Sequence, residues 1–471
     1  MYTIYIVYLI FYHIFMRRTL TNELKAKVDT DVLLKGWLHN FRKLGSIAFL
    51  VLRDRGGFAQ IIIESKEEME KLSNLYTGTI LEVQGKSVSA PKSKYGYEVQ
   101  NGKVKVLVPV TFPSPIDISK EDIHGELDTM LDLRPVVIRH PKIQAVFKVQ
   151  AGILTAFADS MRVQGFMEFR NPILLGAASE SGASVFEVNY FDGKAYLAQS
   201  PQFYKQIMVG GFERVFTIGT VFRAEKHNTV RHLMEITQMD GEMGFIDSYE
   251  EVLDVIERTT RHIFDCVGMN YKEELALWNV TLPKLPEGKF PRIKVKEALK
   301  IIEERTGKSA KREELDLDPE DEREIAKYVL EKYDSDFLWL LNFKANKNFY
   351  TWNNEVGAPS VTKETEDKDE SLSYDLECRG LEWLSGTHRI HIYEKLVENM
   401  KLQGLSGEDA KHYLMAFQYG MPSEAGFSFG LERMTKQIFG FSNIREATLF
   451  PSDLKRVAGA VRKGKEDMKY E

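Results

Sequence analysis

The sequence is poor in cysteine and has no excess of positive charge. Cys266 and Cys378 are the only cysteines in 471 residues and lack metal-ligand spacing, so we expect no disulfide framework. This usage indicates a reducing compartment, and we expect a cytoplasmic protein. A net charge of −6 argues against a general nucleic-acid coat, although a local basic patch could still face RNA.

The chain also lacks an apolar run that would span a membrane. Residues 2–15 (YTIYIVYLIFYHIF) are almost wholly apolar, but a spanning helix needs about 20 residues. The basic front and small-residue cleavage site of a signal peptide are missing too. We therefore expect residues 1–15 to be an upstream extension, Met16 to be the true start, and no membrane partner. A membrane-touching anchor is the alternative.

Length and composition predict a soluble globular protein of two or more domains, with 43% hydrophobic and 28% charged residues. Residues 16–110 contain five short strand patterns, with a polar helical stretch (66–75) between the third and fourth. This order is typical of an OB-fold, whose open face often binds single-stranded nucleic acid. A structural barrel without a ligand is the alternative. The predicted strands are 32–42, 47–54, 58–64, 80–88 and 97–108.

A proline-marked hinge (111–140) separates this barrel from a second domain (141–456), and residues 457–471 form a C-terminal tail. The second domain begins with an amphipathic helix near 142–166 and then alternates strands and helices irregularly. We expect an α+β fold there, built mainly on an antiparallel sheet. The charged region 294–332 predicts a solvated accessory face without chemistry.

One stretch of the second domain, VFRAEKHNTVRHLMEITQMDGEMGF (221–245), concentrates charge in a hairpin-like pattern. Strand alternation would place Val221, Arg223 and Glu225 on one face. A second strand resumes near Leu233, and its alternation puts Gln238, Asp240 and Glu242 on one face. The pattern suits a site that holds an anion with arginines and an ammonium with carboxylates. Salt-bridged surface strands are the alternative.

Three further clusters carry polar residues beside turns or glycines. AQSPQFYKQIM (198–208) places Gln202 and Lys205 at a helix start, and DLECRGLEWLSGTHRIH (375–391) carries Glu382, Ser385 and Arg389. GFSFGLERMTKQIFG (426–440) ends a strand at a helix that opens near Leu431. An arginine at such a helix start suits an anion. Each cluster alone is equally consistent with surface residues.

Together, the clusters resemble the class II aminoacyl-tRNA synthetases, in particular the archaeal and eukaryotic-type aspartyl-tRNA synthetases. FRAE-x-HNT-x-RH is similar to the second signature motif of this family, and FGLER with NIREATLFPSD (443–453) is similar to the third. The helix at 142–166, running to Asn171-Pro172, resembles the first motif, which builds a homodimer interface. The resemblance covers residues 20–456.

The resemblance implies ATP-dependent activation of an amino acid and its transfer to tRNA. Arg223 would hold the α-phosphate and Arg433 the γ-phosphate, and both would be catalytic. Glu382 and Ser385 would hold Mg²⁺ between the phosphates. The implied ATP-binding residues are Arg223, Glu225, Arg231, His232, Glu382 and Arg433.

The implied amino acid is L-aspartate. The asparaginyl branch of the family has a leucine in place of Lys205, and an amide would leave one of two converging cations unpaired. Glu180, Gln202 and Asp240 match positions that bind the α-ammonium. The implied aspartate-binding residues are Glu180, Gln202, Lys205, Asp240, Ser385 and Arg389.

The barrel would read the anticodon through positions that match His39, Arg42, Phe49, Gln60, Lys94 and Glu98. Without the resemblance, Phe49 reads as a barrel-core residue. His39 is typical of relatives that aspartylate both tRNA(Asp) and tRNA(Asn), whereas Lys94 is typical of those restricted to tRNA(Asp). We favour the relaxed enzyme, whose Asp-tRNA(Asn) an amidotransferase would convert.

Three positions depart from the family pattern. Ile236 replaces an aromatic residue that stacks on adenine, and Ser428 and Phe429 replace smaller residues or glycine. None of these removes a charge that the chemistry needs. Two alternatives stay open: an asparaginyl-tRNA synthetase, and an inactive paralogue that only binds tRNA.

Overall fold

The chain divides into two compact units, one ending at Pro141 and the other beginning at Lys142. The computed structural model describes residues 17–176, 185–225, 229–308, 315–344, 348–352, 370–405, 407, 410–457, 460–462 and 468–469. The expected extension at residues 1–15 lies outside these ranges. Within them, no helix is both long and apolar enough to cross a membrane.

The first unit contains a closed barrel of five strands in the order β1–β2–β3–β5–β4, which confirms the OB-fold prediction. The β3–β5 pair is parallel and the other pairs are antiparallel. Helix α1 lies between β3 and β4 in the chain, and the Ser65 hydroxyl caps it by accepting from the Glu68 amide. The bounds are β1 Asp31–Leu44, β2 Ile47–Asp54, β3 Gly57–Ile63, α1 Lys66–Leu72, β4 Ile80–Ser89 and β5 Tyr97–Val108.

Short helices flank this barrel within the first unit. A 3₁₀ turn, Thr21–Ala26, precedes β1. Helices α2 (Leu127–Asp132) and α3 (Arg134–Val137) follow β5.

The second unit is built on an eight-stranded sheet in the order β12–β13–β14–β15–β16–β11–β10–β6. Only the two outermost pairs, β12–β13 and β10–β6, are parallel. The prediction of a mainly antiparallel sheet is therefore confirmed. The bounds are β6 Met167–Glu168, β10 Arg214–Phe222, β11 Glu235–Gly244, β12 Arg292–Lys294, β13 Phe337–Leu341, β14 Ser373–Cys378, β15 Glu382–Arg389 and β16 Glu424–Gly430.

Two smaller sheets of three strands each accompany the large one. The first contains β7 Leu174–Leu175, β8 Glu187–Tyr190 and β9 Gly193–Leu197. The second contains β17 Arg456–Val457, β18 Ala460–Arg462 and β19 Met468–Lys469.

Helix α4 (Pro141–Val163) covers the large sheet with the apolar stripe that its sequence predicts. Val149, Ile153 and Phe157 are buried, and Phe157 meets the rings of Phe216 and Phe429 edge-on. Burying such side chains contributes roughly 1.5–3 kcal/mol each. The other helices are α5 Gln202–Phe212, α6 Glu250–Asn270, α7 Lys272–Ala276, α8 Val295–Thr306, α9 Pro319–Tyr333, α10 Tyr393–Leu402, α11 Lys411–Gln418 and α12 Leu431–Phe439.

The charged region 294–332 is more than a solvated face, so that prediction is wrong. Helices α8 and α9 enclose an apolar cluster with β13, in which Leu299, Ile302, Ile325 and Val329 are buried. The region looked uniformly solvated because charged residues fill the outer sides of both helices. One charged residue of α9, Glu322, points inward, and its contact is described below.

Candidate active site

The hairpin formed by β10 and β11 is shorter than its alternating pattern suggests. The ladder ends with the Phe222–Glu235 pair, so Arg223 and Glu225 lie beyond the strand. The prediction that they share a strand face with Val221 is therefore wrong. The Arg223 amide still donates to the Met234 carbonyl at 2.9 Å, which fixes Arg223 beside the start of β11.

A cleft at this end of the large sheet brings the sequence-predicted nucleotide residues together. Helix α12 starts at Leu431, directly after β16, and presents Arg433 from its first turn. The Nε atom of Arg223 is buried without a hydrogen-bond partner in the described residues. A buried, unpaired guanidinium nitrogen suits an anionic ligand. The polar and charged lining residues include Arg223, Glu225, Arg231, His232, Gln238, Glu382, Ser385, Ser428, Glu432 and Arg433, and Ile236 lines the same cleft.

Arg433 and its neighbour Glu432 face different partners. Arg433 Nη1 lies 3.1 Å from Glu382 Oε1 and donates to the Glu382 carbonyl at 3.2 Å. The negative charge of Glu382 raises the pKa of Arg433 although burial opposes it. Glu432 instead accepts from the Thr237 amide through both carboxylate oxygens, at 3.1 Å each. Burial raises the pKa of Glu432 to about 7.

Arg231 is held by Glu322, a residue that sequence reasoning missed. The Glu322 carboxylate on α9 accepts from Arg231 Nη2, which also lies 3.4 Å from the Gly380 carbonyl. Burial raises the pKa of Glu322, and the bond to Arg231 opposes that rise. The charge pattern of α9 gave no signal that separated Glu322 from its solvated neighbours.

For the ATP site that the resemblance implies, we expect Glu322→Gln to lower the KM for ATP about fivefold, because Arg231 would have to leave this partner to reach a phosphate. The estimate corresponds to about 1 kcal/mol, the upper end for an ion pair that is partly open to solvent. ATP-dependent pyrophosphate exchange at saturating amino acid measures it. Glu320→Gln is the matched control, since Glu320 lies on the same helix but pairs with exposed Lys308. An unchanged or higher KM in Glu322→Gln would show that the contact does not compete with ATP.

Glu382 and Ser385 have the oxygen chemistry that Mg²⁺ prefers, and both open onto the cleft. Adjacent β14 places Asp375 opposite Ser385, and Glu377 opposite Glu382. Burial raises the pKa of Glu377 well above its usual value. Within the described residues, no group of three His, Cys, Asp or Glu side chains forms a metal cage. Glu382 and Ser385 could supply two oxygen ligands to Mg²⁺, a hard ion that otherwise binds phosphate and water oxygens.

Lys205 and Arg389 converge beneath this cleft, on the carboxylate of Glu242. Arg389 donates to Glu242 through Nε at 2.8 Å and Nη2 at 3.1 Å, and Lys205 Nζ lies 3.4 Å from Glu242 Oε2. All three side chains are at most 3% exposed, so solvent screens the pair interactions little. Burial alone would lower the pKa of Arg389, but the charge of Glu242 outweighs it and raises the pKa.

Asp240 belongs to the same group of buried charges, which consists of Lys205, Asp240, Glu242 and Arg389 and is called the charged layer below. Lys205 Nζ donates to its Oδ1 at 2.9 Å, and the Ser428 hydroxyl donates to its Oδ2 at 3.2 Å. Burial raises the pKa of Asp240, and the charge of Lys205 opposes the rise. Gly426 makes room for the layer, because a Cβ there would lie 1.7 Å from Glu242 Oε2.

The remaining sequence-predicted aspartate residues have separate positions. Glu180 lies outside the described residues, and Ser385 lies at the cleft. Gln202 is buried and donates through Nε2 to Gln206 Oε1 at 2.8 Å. Gln206 in turn donates to Glu424 at 2.7 Å. Sequence reasoning gave no role to Gln206 or Glu424, because their elements meet only in the folded chain.

The barrel places the sequence-predicted anticodon residues on its outer side or edge. Phe49 is half-buried between the core residues Ala48 and Leu50, so it does not belong to the barrel core. The Arg42 guanidinium lies over its ring at 5.7 Å. Gln60 Nε2 donates to Glu98 Oε1 at 2.6 Å across the parallel β3–β5 pair.

His39 packs against a second aromatic group of the barrel. Its ring meets Phe58 edge-on with centroids 4.8 Å apart, and Phe58 stacks with Tyr95 at 5.8 Å. Burial, helped by the positive charge of Arg53, lowers the pKa of His39 to about 4. The imidazole is therefore neutral near pH 7 and can both donate and accept. Lys94 is exposed.

A closed five-stranded barrel and a mainly antiparallel sheet, with a cleft lined by arginines and glutamates, are the architecture of a class II tRNA synthetase. The chain belongs to this family: residues 126–454 match the model for class II tRNA synthetases (D, K and N). Residues 32–107 match the OB-fold nucleic acid binding domain. The resemblance seen in the sequence motifs is confirmed.

Curated relatives cover nearly the whole chain. It is 38% identical to the aspartate–tRNA(Asp/Asn) ligase of Thermus thermophilus, over 93% of this chain and 99% of that protein. It is 37% identical to the aspartate–tRNA(Asp) ligase of Pyrococcus abyssi, over 93% and 98% of the two chains. Relatives with the restricted and the relaxed tRNA range are thus similarly distant.

Solved structures of two related specificities share the fold. The aspartyl-tRNA synthetase of Entamoeba histolytica matches with a TM-score of 0.81 and 27% identity, over 94% of this chain and 93% of that one. The asparaginyl-tRNA synthetase of Pyrococcus horikoshii with asparaginyl-adenylate matches with 0.82 and 26%, over 94% and 100%. Fold similarity therefore does not separate aspartate from asparagine.

Proposed function

We propose that this chain is an aspartate–tRNA ligase that activates L-aspartate with ATP and transfers it to tRNA. The observation that carries the choice of amino acid is the convergence of Lys205 and Arg389 on one carboxylate, that of Glu242. Both cations are thus already oriented toward carboxylate oxygens. A neutral amide would gain less than a carboxylate from their positive potential.

Positioning and charge stabilisation supply the chemistry of the first step. The α-carboxylate of aspartate attacks the α-phosphorus of ATP, and pyrophosphate leaves. Arg223, whose Nε has no hydrogen-bond partner in the described residues, stabilises the charge that develops on the α-phosphate. Arg433, with Arg231 and His232, holds the leaving phosphates. Glu225 faces the adenine, and the terminal adenosine of tRNA then takes the aspartyl group.

The aspartate lies deeper than the nucleotide. Lys205 and Arg389 bind its side-chain carboxylate, while Asp240, Gln202 and Glu180 bind its ammonium group, and Ser385 lies between the two substrates. Glu382 and Ser385 would hold Mg²⁺, which would neutralise phosphate charge. The enzyme acts as a homodimer in the cytoplasm, with helix α4 and the segment that runs to Asn171-Pro172 building the interface.

The barrel binds the tRNA anticodon through His39, Arg42, Phe49, Gln60, Lys94 and Glu98. A half-buried aromatic ring at Phe49 and an amide at Gln60 suit stacking and hydrogen bonding to unpaired bases. The neutral His39 is smaller than a tryptophan and relaxes the reading of the third anticodon base. We therefore propose that tRNA(Asn) is also charged, with an amidotransferase acting on the product.

Charging of purified tRNA(Asp) and tRNA(Asn) transcripts with labelled aspartate tests this function. We expect both to be charged with kcat/KM values within about tenfold, a difference of about 1.4 kcal/mol. Charging of tRNA(Asp) alone would make Lys94 the better guide and remove the need for an amidotransferase. Charging of neither would favour the inactive paralogue, and preferential use of labelled asparagine would favour the asparaginyl enzyme.

A further inference from the structure

Glu424 places a third carboxyl group beside the Lys205–Arg389 pair. It begins β16, is fully buried, and its Cα pairs with that of Arg389 on β15. Its Oε1 accepts from Gln206 Nε2 at 2.7 Å. Its Oε2 is buried and has no hydrogen-bond partner in the described residues. A buried carboxylate with one unsatisfied oxygen is unfavourable, whereas a carboxylic acid is much less so.

Within the described residues, charged and titratable groups of four elements face Glu424. Lys205 comes from α5, Glu242 from β11, Arg389 from β15 and the Tyr413 hydroxyl from α11. Burial and the charge of Glu242 raise the pKa of Glu424 well above its usual value, while Gln206, Arg389 and Lys205 oppose the rise. Tyr413 donates to Gln206 Oε1 at 3.0 Å, so this hydroxyl is already engaged.

The charges of the layer balance only when Glu424 is neutral. Lys205 is matched by Asp240, and Arg389 by Glu242. An ionised Glu424 would add a negative charge without a cation of its own. The side-chain carboxylate of aspartate brings one more negative charge to the same place, whereas the amide of asparagine brings none.

We propose that Glu424 is a specificity-determining residue, which must carry a proton for the pocket to accept the side-chain carboxylate of aspartate. When Glu424 is protonated, the positive potential of Lys205 and Arg389 attracts the side-chain carboxylate of the substrate. When Glu424 loses its proton, its negative charge repels that carboxylate. Discrimination between aspartate and asparagine therefore weakens as pH rises. The inference rests on the proposed aspartate site.

The test compares KM for aspartate with the inhibition constant of asparagine, in pyrophosphate exchange at saturating ATP between pH 6.5 and 9.5. Asparagine shares the ammonium and α-carboxylate groups, so the ratio removes their contacts once both constants are expressed for the ammonium forms of the two amino acids. It also separates this inference from the function itself, which aspartate-dependent exchange at pH 7 establishes alone. Above the pKa of Glu424, the ratio of the KM for aspartate to the inhibition constant of asparagine should rise about tenfold per pH unit.

Glu424→Gln has the shape of the neutral acid and should give a lower ratio than the wild type at pH 9.5, with no slope. Glu424→Asp keeps a titrating carboxyl and should keep a slope. A wild-type ratio that stays flat to pH 9.5, or a Glu424→Gln ratio with the wild-type slope, would overturn the proposal. Because a ratio of two constants does not depend on the active fraction, partial unfolding of a variant does not affect the result.

Discussion

Arg223→Ala is expected to lower aspartate-dependent pyrophosphate exchange by about 10³-fold, the cost of losing one preorganised donor to developing charge. Arg223 Nε is buried and has no hydrogen-bond partner in the described residues, so it is available to donate to a ligand. Its loss should act on kcat more than on the KM for ATP, because charge accumulates on the α-phosphate in the transition state. Exchange kinetics at saturating aspartate measure the effect.

Arg258→Ala is the matched control for Arg223→Ala. Arg258 is an arginine of the same unit, and its Nε donates to Gln164 Oε1 at 2.8 Å at an exposed site. Its variant should keep exchange within about twofold, as surface changes do. tRNA binding, measured by filter retention, should persist in both variants. Undiminished exchange in Arg223→Ala would remove Arg223 from the α-phosphate.

The parts of the fold that the sequence predicts well are those fixed by local pattern. In β2, Ala48, Leu50 and Leu52 point inward because side chains alternate along a strand, and the observed strand keeps the predicted bounds 47–54. The stripe on α4 is predicted for the same reason, with helical spacing. Alternation misled at Arg223 and Glu225, where the strand has ended and the pattern continues into irregular backbone.

The charge partners within the site could not be predicted in this way. Glu322 reaches Arg231 across 91 positions of the chain, and Glu424 reaches Gln206 across 218. Nothing local distinguishes Glu322 from Glu320, since both lie in the acidic first turn of α9. The resemblance to a family pointed to the cations of the site and to Asp240 and Glu382, whereas the contacts of Glu322 and Glu424 became visible only in the folded chain.

Lys205→Leu is expected to weaken the use of aspartate more than the binding of asparagine. Without the ammonium, Glu242 keeps Arg389, but Asp240 keeps only the Ser428 hydroxyl, and the aspartate carboxylate loses one of its two cations. We expect kcat/KM for aspartate-dependent exchange to fall by about 10³–10⁴, near the discrimination of sites built on buried polar contacts. The asparagine inhibition constant should change much less, because an amide gains little from a second cation.

The ratio of the two effects separates specificity from structural damage. Breaking the buried Lys205–Asp240 pair costs stability, by about 3–5 kcal/mol for such pairs, and a smaller folded fraction lowers kcat but leaves the KM for aspartate and the inhibition constant of asparagine unchanged. A role in specificity changes the ratio of the KM for aspartate to the inhibition constant of asparagine, and a purely structural role does not. Lys194→Leu removes an exposed lysine that pairs with Glu187 and should leave the ratio unchanged. Equal changes in the KM for aspartate and the inhibition constant of asparagine in Lys205→Leu would show that Lys205 stabilises the sheet and does not select the substrate.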